Sequence, residues 1–296
     1  MIYINGKYFS DQEAKIESND RGFLLGDGIF ETMRVYGGKI FCFNDHYDRL
    51  KNSADYLDIP FTMPPDEVKQ IIEALLEKNE LSNKDASVRL TLTRGSGPRG
   101  LLPPINVHTT LMLTAAPFTM NAHKPLTALI SEIRRNEFSP LSNIKSLCYL
   151  DNIIARNSAA KNGFDECIML NTKGIVACAS VANVFIVTQD KVITPRLEDG
   201  VLPGITRKMV INICNANNIT VDEEAISESD LMHADEVFFT NSLIEIQPVA
   251  QINNKLINEG KIGEITLKLQ KFYKTSIDVS SYDVDNSYVN NRVYSK

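Results

Sequence analysis

The chain has 296 residues, 43% hydrophobic and 23% charged, with a formal net charge of -6 at pH 7. That length suits one large domain or two ordinary ones, and apolar residues spread throughout exclude a disordered chain. The acidic balance, with no block of Lys or Arg, excludes nonspecific nucleic-acid binding, and the lack of an apolar run of about 18 residues argues against a membrane partner.

Taken in order, the N-terminus "MIYINGKYF" opens on a strand pattern without a basic leader, and the five cysteines show no CxxC spacing. A soluble protein of the reducing cytoplasm is expected. "FETMRVYGGKIFCF" predicts a hairpin turning at Gly37-Gly38, after which Asn44 is expected to cap a helix carrying Tyr47, Leu50, Ala54 and Leu57. A second helix is expected from Pro64-Pro65, with Val68, Ile72, Leu75 and Leu76 on its apolar face. "ASVRLTLTR" and "VHTTLMLTAAPF" read as strands around the loop "GSGPRGLLPP". "LTALISEI" reads as a strand, "LDNIIARNSAAKNG" as a helix closed by Gly163, and "DECIMLN" as a strand pairing with "GIVACASVANVF". "LPGITRKMVINICNANN" is a helix beginning after Gly204, "DEVFFTNSLIEIQPV" a strand running into a loop, and "GEITLKLQKFYKTS" a last helix. The fold class is therefore α/β (α+β), with a smaller N-terminal domain over 1–117, a linker over 118–124, a larger domain over 125–276 and a polar tail over 277–296.

Metal chemistry has little support: His46, His108, His123 and His233 lie far apart, with no partner at ligand spacing. "GDGIFE" lacks the third glycine of a dinucleotide loop, and "RGSGPRG" lacks the Lys-Ser/Thr of a P-loop. Lys145 is more informative, because "SPLSNIKSLCYLDNII" places it among Ile, Leu, Ser and Cys just before a helix. Desolvation lowers a lysine pKa and makes the neutral amine available to a carbonyl. Three anion-binding elements accompany it: the helix start at Gly204-Ile205-Thr206, Arg49 in "HYDRL", and Thr240, Asn241 and Ser242 after a strand. Each alone reads better as ordinary capping or surface chemistry; together they suit a phosphorylated aldehyde on a lysine.

The ordered segments "RGFLLGDGIFETMRV", "HYDRL", "IKSLCYLDNIIAR", "GIVACASVANVFIV", "LPGITRK" and "ADEVFFTNSLIEIQPV" resemble the class IV aminotransferase family, the fold type IV pyridoxal-phosphate enzymes, over about residues 2 to 275. The resemblance implies a two-domain, D-amino acid aminotransferase-like fold, pyridoxal 5'-phosphate at the domain interface, an amino acid-type substrate and a homodimer. Matched motif by motif, Lys145 falls on the Schiff-base lysine and Arg49 on the phosphate-binding arginine. Ile205, Thr206 and Ser242 fall on further phosphate donors, Leu202 on the residue packing the cofactor ring, and Tyr149, Ser180 and Asn183 on the cofactor cradle. Phe30, Thr32, Arg34, Arg99 and Asn241 are the candidates for substrate contact. The departure is Cys178, which stands where the family carries a glutamate that hydrogen-bonds the pyridine nitrogen.

Branch features conflict. "TRGSGPRG" resembles the D-amino acid branch, with Arg99 on its carboxylate clamp, yet Leu101 replaces that clamp's histidine. Arg34 matches the branched-chain type, whose Gly-Thr-Ala loop is Thr240-Asn241-Ser242 here. "TNSLIEIQPV" and "FETMRV" look most like aminodeoxychorismate lyases, which expel pyruvate to leave 4-aminobenzoate, a folate precursor. A lyase is slightly favoured, with a branched-chain or D-amino acid transaminase, or a cofactor-binding homologue impaired by Cys178, as alternatives.

Overall fold

The computed structural model of the chain describes residues 1–120 and 124–278. Residues 121–123 of the expected linker, and 279–296 of the expected tail, lie outside the described residues. Contacts divide the chain into two units. One holds Met1–Thr119 and, from far later in the sequence, Ile144–Cys148; the other holds Met120–Asn143 and the described chain from Tyr149 onward.

The first unit contains β1 (Ile2–Ile4), β2 (Lys7–Phe9), α1 (Arg21–Leu25), β3 (Gly28–Tyr36), β4 (Lys39–Ile40), α2 (Phe43–Tyr56), α3 (Pro65–Lys78), β5 (Ala86–Thr93) and β6 (Thr110–Pro117). Its antiparallel sheet runs β2-β1-β6-β5-β3-β4. Strand alternation gives β3 two different faces. Ile29, Met33 and Val35 join the apolar core with Leu50 and Ala54 of α2 and Val68, Ile72, Leu75 and Leu76 of α3. Phe30, Thr32 and Arg34 therefore occupy the opposite face.

The helix at α3 begins as expected, with Pro65 in its first turn. The expected Asn44 cap is replaced: α2 starts at Phe43, preceded by Cys42 in the left-handed conformation (φ 51°), without a side-chain cap. Phe43 is buried in the core, so apolar anchoring of the first turn fixes that start.

Segment 144–148 is held to β3 by backbone hydrogen bonds. The Phe30 N–H donates to the Lys145 carbonyl and the Leu147 N–H to the Gly28 carbonyl, both at 2.9 Å, around an antiparallel bridge between Ile29 and Ser146. Gly28 permits the approach. A Cβ there would lie 2.8 Å from both Leu147 Cδ1 and the Leu92 carbonyl, and 3.1 Å from Thr93 Cα.

The second unit contains β7 (Leu126–Ile130), α4 (Leu150–Lys161), β8 (Glu166–Leu170), β9 (Val176–Ala179), β10 (Asn183–Thr188), β11 (Lys191–Thr194), α5 (Ile205–Ala216), β12 (Val221–Glu223), α6 (Glu228–His233), β13 (Glu236–Asn241), β14 (Glu245–Ile252), β15 (Lys255–Leu256) and α7 (Glu264–Asp278). The mixed sheet runs β12-β11-β10-β13-β14-β7-β8-β9, with β15 on β14. Its last strand, β9, is joined to β10 by the short turn Ser180-Val181-Ala182, where the Ala179 N–H meets the Ala182 carbonyl at 2.8 Å. The sheet must curl for those strands to meet.

"GIVACASVANVF" is small partly because α4 packs closely on it: Ala155 and Ala159 lie in one cluster with Cys167, Met169, Ala177 and Cys178. "DEVFFTNSLIEIQPV" is two paired strands, β13 and β14, where one strand and a loop were expected. The Asn241 Oδ1 accepts from the Leu243 and Ile244 N–H groups, which folds the turn between them.

Gly28→Ala should destabilise the protein by about 1–3 kcal/mol, because Cβ would press on backbone as well as on Leu147. Thermal unfolding measures this; a midpoint equal to wild type would contradict the close approach.

Candidate functional site

Lys145 is partly buried in the first unit, where its Nζ lies 4.4 Å from the centre of the Phe30 ring. The Arg89 guanidinium sits 3.8 Å from the centre of the same ring. β3–β5 register pairs Arg89 with Thr32, which places Arg89 on the face of Phe30. Behind them, on the core face of β3, Glu31 accepts from Arg49 Nε (2.8 Å) and Nη2 (2.7 Å), and bonds His46 Nδ1 at 2.7 Å. All three are buried.

This arrangement tunes the charges. Burial opposes ionisation of Glu31, yet Arg49 and His46 together hold its carboxyl at about 2. Burial, together with Arg49 and Lys145, lowers the His46 pKa despite its bond to Glu31, so the imidazole is neutral at pH 7. Burial, then Arg49, with a smaller push from Arg89 and a counter-pull from Glu31, lowers the Lys145 amine from 10.5 to about 8. That change disfavours the charged amine by roughly 3 kcal/mol, enough to give a useful neutral fraction near neutral pH.

In the second unit, α5 begins at Ile205 with Gly204 as N-cap and no side-chain cap. The Asn183 side chain donates to the Leu202 carbonyl at 2.9 Å, and a Cβ on Gly204 would collide with Asn183 Oδ1. Asn183 thereby braces the turn that presents the Ile205 and Thr206 N–H groups. Asn183 pairs with Thr240 across β10 and β13, and the buried Thr240 Oγ1 has no hydrogen-bond partner among the described residues. Open helix-start donors beside an unpartnered buried hydroxyl suit an anion with several acceptor oxygens.

The other expected residues divide. Cys178 is buried opposite Met169 on β8; burial is the main reason its thiol pKa is raised, with Glu166 also raising it and Arg135 opposing, so the thiol is neutral. The Ser180 hydroxyl donates to Glu166 at 2.5 Å, and its carbonyl accepts from Asn152. Asn241 is engaged in its turn and with the Val181 carbonyl. Tyr149 is the partly buried residue ahead of α4, and Leu202 and Ser242 are also partly buried. Arg99 is exposed on the loop after β5.

Arg34 shares the face of Phe30 but lies four residues along the strand, roughly 13 Å away. There it bonds Asp85 at 2.7 Å, with its guanidinium over the Phe118 ring. Arg89, Glu31 and His46 were not among the expected site residues, whereas Thr240, expected as a donor after a strand, lies within β13. A glutamate on the apolar face of β3 was a readable signal for Glu31, whereas Arg89 needed the β3–β5 register.

The family model of amino-transferase class IV matches residues 28–252. A Methanocaldococcus jannaschii protein provisionally named a branched-chain-amino-acid aminotransferase is 37% identical over 290 residues, covering 95% of this chain and 99% of its own. The D-alanine aminotransferase of Listeria monocytogenes is 32% identical, covering 93% and 96%. The aminodeoxychorismate lyase of Bacillus subtilis is 31% identical, covering 94% of each. Among solved structures, a T.th. branched-chain amino acid aminotransferase with pyridoxamine 5'-phosphate superposes with a TM-score of 0.87 at 27% identity, covering 93% of each chain. The donors at α5 and Thr240 fit the phosphate of that cofactor class, and the lowered amine of Lys145 fits its aldehyde.

In protein stripped of cofactor, acylation of Lys145 followed by peptide mass should rise with pH through a midpoint near 8, because the protonated amine below it is unreactive. Arg49→Met should move the midpoint upward by removing the cation that opposes charging. A wild-type midpoint near 10.5 would contradict the desolvated environment.

Proposed function

Since the chain belongs to the class IV aminotransferase family, enzymes that work with pyridoxal phosphate, we propose that it acts as an aminodeoxychorismate lyase, releasing pyruvate and leaving 4-aminobenzoate. In this reading Lys145 carries the cofactor and moves the proton of the substrate at Nζ. Arg49, the Ile205 and Thr206 N–H groups and Ser242 hold the phosphate; Thr240 Oγ1 adds a buried donor. Leu202, Tyr149 and Asn183 fix the ring. Pyridoxal phosphate supplies a conjugated ring that draws electrons from the substrate carbon bonded to its amino group.

The observation that carries the choice of lyase is the buried, neutral Cys178. A thiol is a weak hydrogen-bond partner and cannot offer a ring cation the full negative charge of a carboxylate. Electron withdrawal is then weaker, and a reaction driven by formation of an aromatic product tolerates this better than amino transfer does. Phe30 and Arg89 line the approach to Lys145, where a guanidinium over an aromatic ring suits a planar, carboxylate-bearing substrate.

A transaminase is the second reading. It is favoured by the 37% identity to the M. jannaschii protein and by Arg89 as an anchor for any amino acid carboxylate. The assembly we assign is a homodimer in the cytoplasm; the exposed Phe23, Leu101, Leu102 and Ile105 supply apolar surface for a second copy.

Two assays run side by side decide the reaction. Pyruvate release from aminodeoxychorismate, with little glutamate formed from 2-oxoglutarate and L-leucine or D-alanine, is expected; the reverse result makes the protein a transaminase. Cys178→Glu should raise the transamination rate by about tenfold or more, and an unchanged rate would remove Cys178 as the limiting residue.

A further inference from the structure

We propose that Glu31 and His46 are positioning residues for Arg49: they fix the plane and direction of its guanidinium for the cofactor phosphate without touching the cofactor themselves. The inference rests on the reading of Arg49 as a phosphate holder. Its basis is the geometry behind Lys145.

Glu31 projects from β3 into the face that otherwise supplies Ile29, Met33 and Val35 to the core. A carboxylate there must be fully bonded, and a buried ion pair is often no more stabilising than apolar side chains of the same volume. Stability alone is therefore a poor reason for this residue. Direction is a better one: Arg49 meets Glu31 through two bonds, Nε to Oε1 at 2.8 Å and Nη2 to Oε2 at 2.7 Å. Such a fork fixes the guanidinium plane as a single bond does not.

His46 completes the constraint. It lies one helical turn before Arg49 on α2, and its Nδ1 bonds Oε2, the oxygen already accepting from Nη2. The carboxylate is thus gripped from two positions on one helix and cannot rotate without breaking a bond. Since His46 is neutral, Nδ1 carries the hydrogen and donates it, adding no second cation beside Arg49.

The arrangement makes a prediction opposite in sign to simple charge attraction. Glu31→Gln removes a negative charge behind the phosphate, so attraction alone would tighten phosphate binding. Loss of the fork would weaken it. Full-length protein stripped of cofactor is titrated with pyridoxal phosphate and with pyridoxal, which lacks the phosphate. The Kd for pyridoxal divided by that for pyridoxal phosphate reports the contribution of the phosphate.

Glu31→Gln is expected to reduce that ratio by about tenfold, with the Kd for pyridoxal nearly unchanged. His46→Ala should reduce it several-fold, and His46→Asn, which restores a donor near the Nδ1 position, should recover most of the loss. A ratio unchanged or increased in Glu31→Gln overturns the inference. If that variant does not fold, equal ratios in His46→Ala and wild type overturn it instead. Arg49→Gln separates the two readings: no loss there refutes Arg49 as the phosphate holder, whereas loss there without loss in Glu31→Gln and His46→Ala refutes only the positioning role.

Discussion

One carboxylate buried behind β3 constrains much of the first unit. Glu31 cannot remain charged on an apolar face without its partners, and α2 supplies them one turn apart as His46 and Arg49. The ion pair also sets the field at Lys145: Arg49 opposes its charge, Glu31 favours it, and burial decides the outcome. The α2–β3 contact is thus both a packing interface and the electrostatic setting of the Lys145 amine.

The second unit leaves the N–H groups of a helix start without a competing side chain. Gly204 leaves the start of α5 uncapped, and Asn183 directs its amide to the Leu202 carbonyl while the helix start stays open. Glu166, by contrast, is engaged by the Ser180 hydroxyl and the Cys167 N–H, so an acid is present near Cys178 but already committed. Cys178 therefore stands as a neutral group among small residues.

Much of this was legible in the sequence because the signals were local. Pro64-Pro65 marked α3, Gly37-Gly38 marked the hairpin, and Gly204 before an amphipathic run marked α5. Lys145 stood out by its apolar neighbours. What was not legible depended on pairing between distant segments or on a backbone state. Asn44 lost its expected role to Cys42, whose left-handed conformation leaves no composition signal. Arg89 reached Phe30 only through strand register, and Arg34, placed on the correct face, was drawn to Asp85 and Phe118 at the far end of the strand. The resemblance named Ser180 and Asn241 for cofactor and substrate, while the geometry gives both hydrogen bonds within the fold.

The bridge between Ile29 and Ser146 also bears on how such a protein can be divided. Because Ile144–Cys148 belongs to the unit built by Met1–Thr119, the chain leaves that unit and returns before continuing. A gene fragment ending at Thr119 would lack the segment that pairs with Gly28 and Phe30, and would also lack the lysine. Recombination at that border would separate Lys145 from the field that tunes it. The two units are interleaved along the chain, so Lys145 and the groups that set its charge share one folded piece drawn from two stretches of sequence.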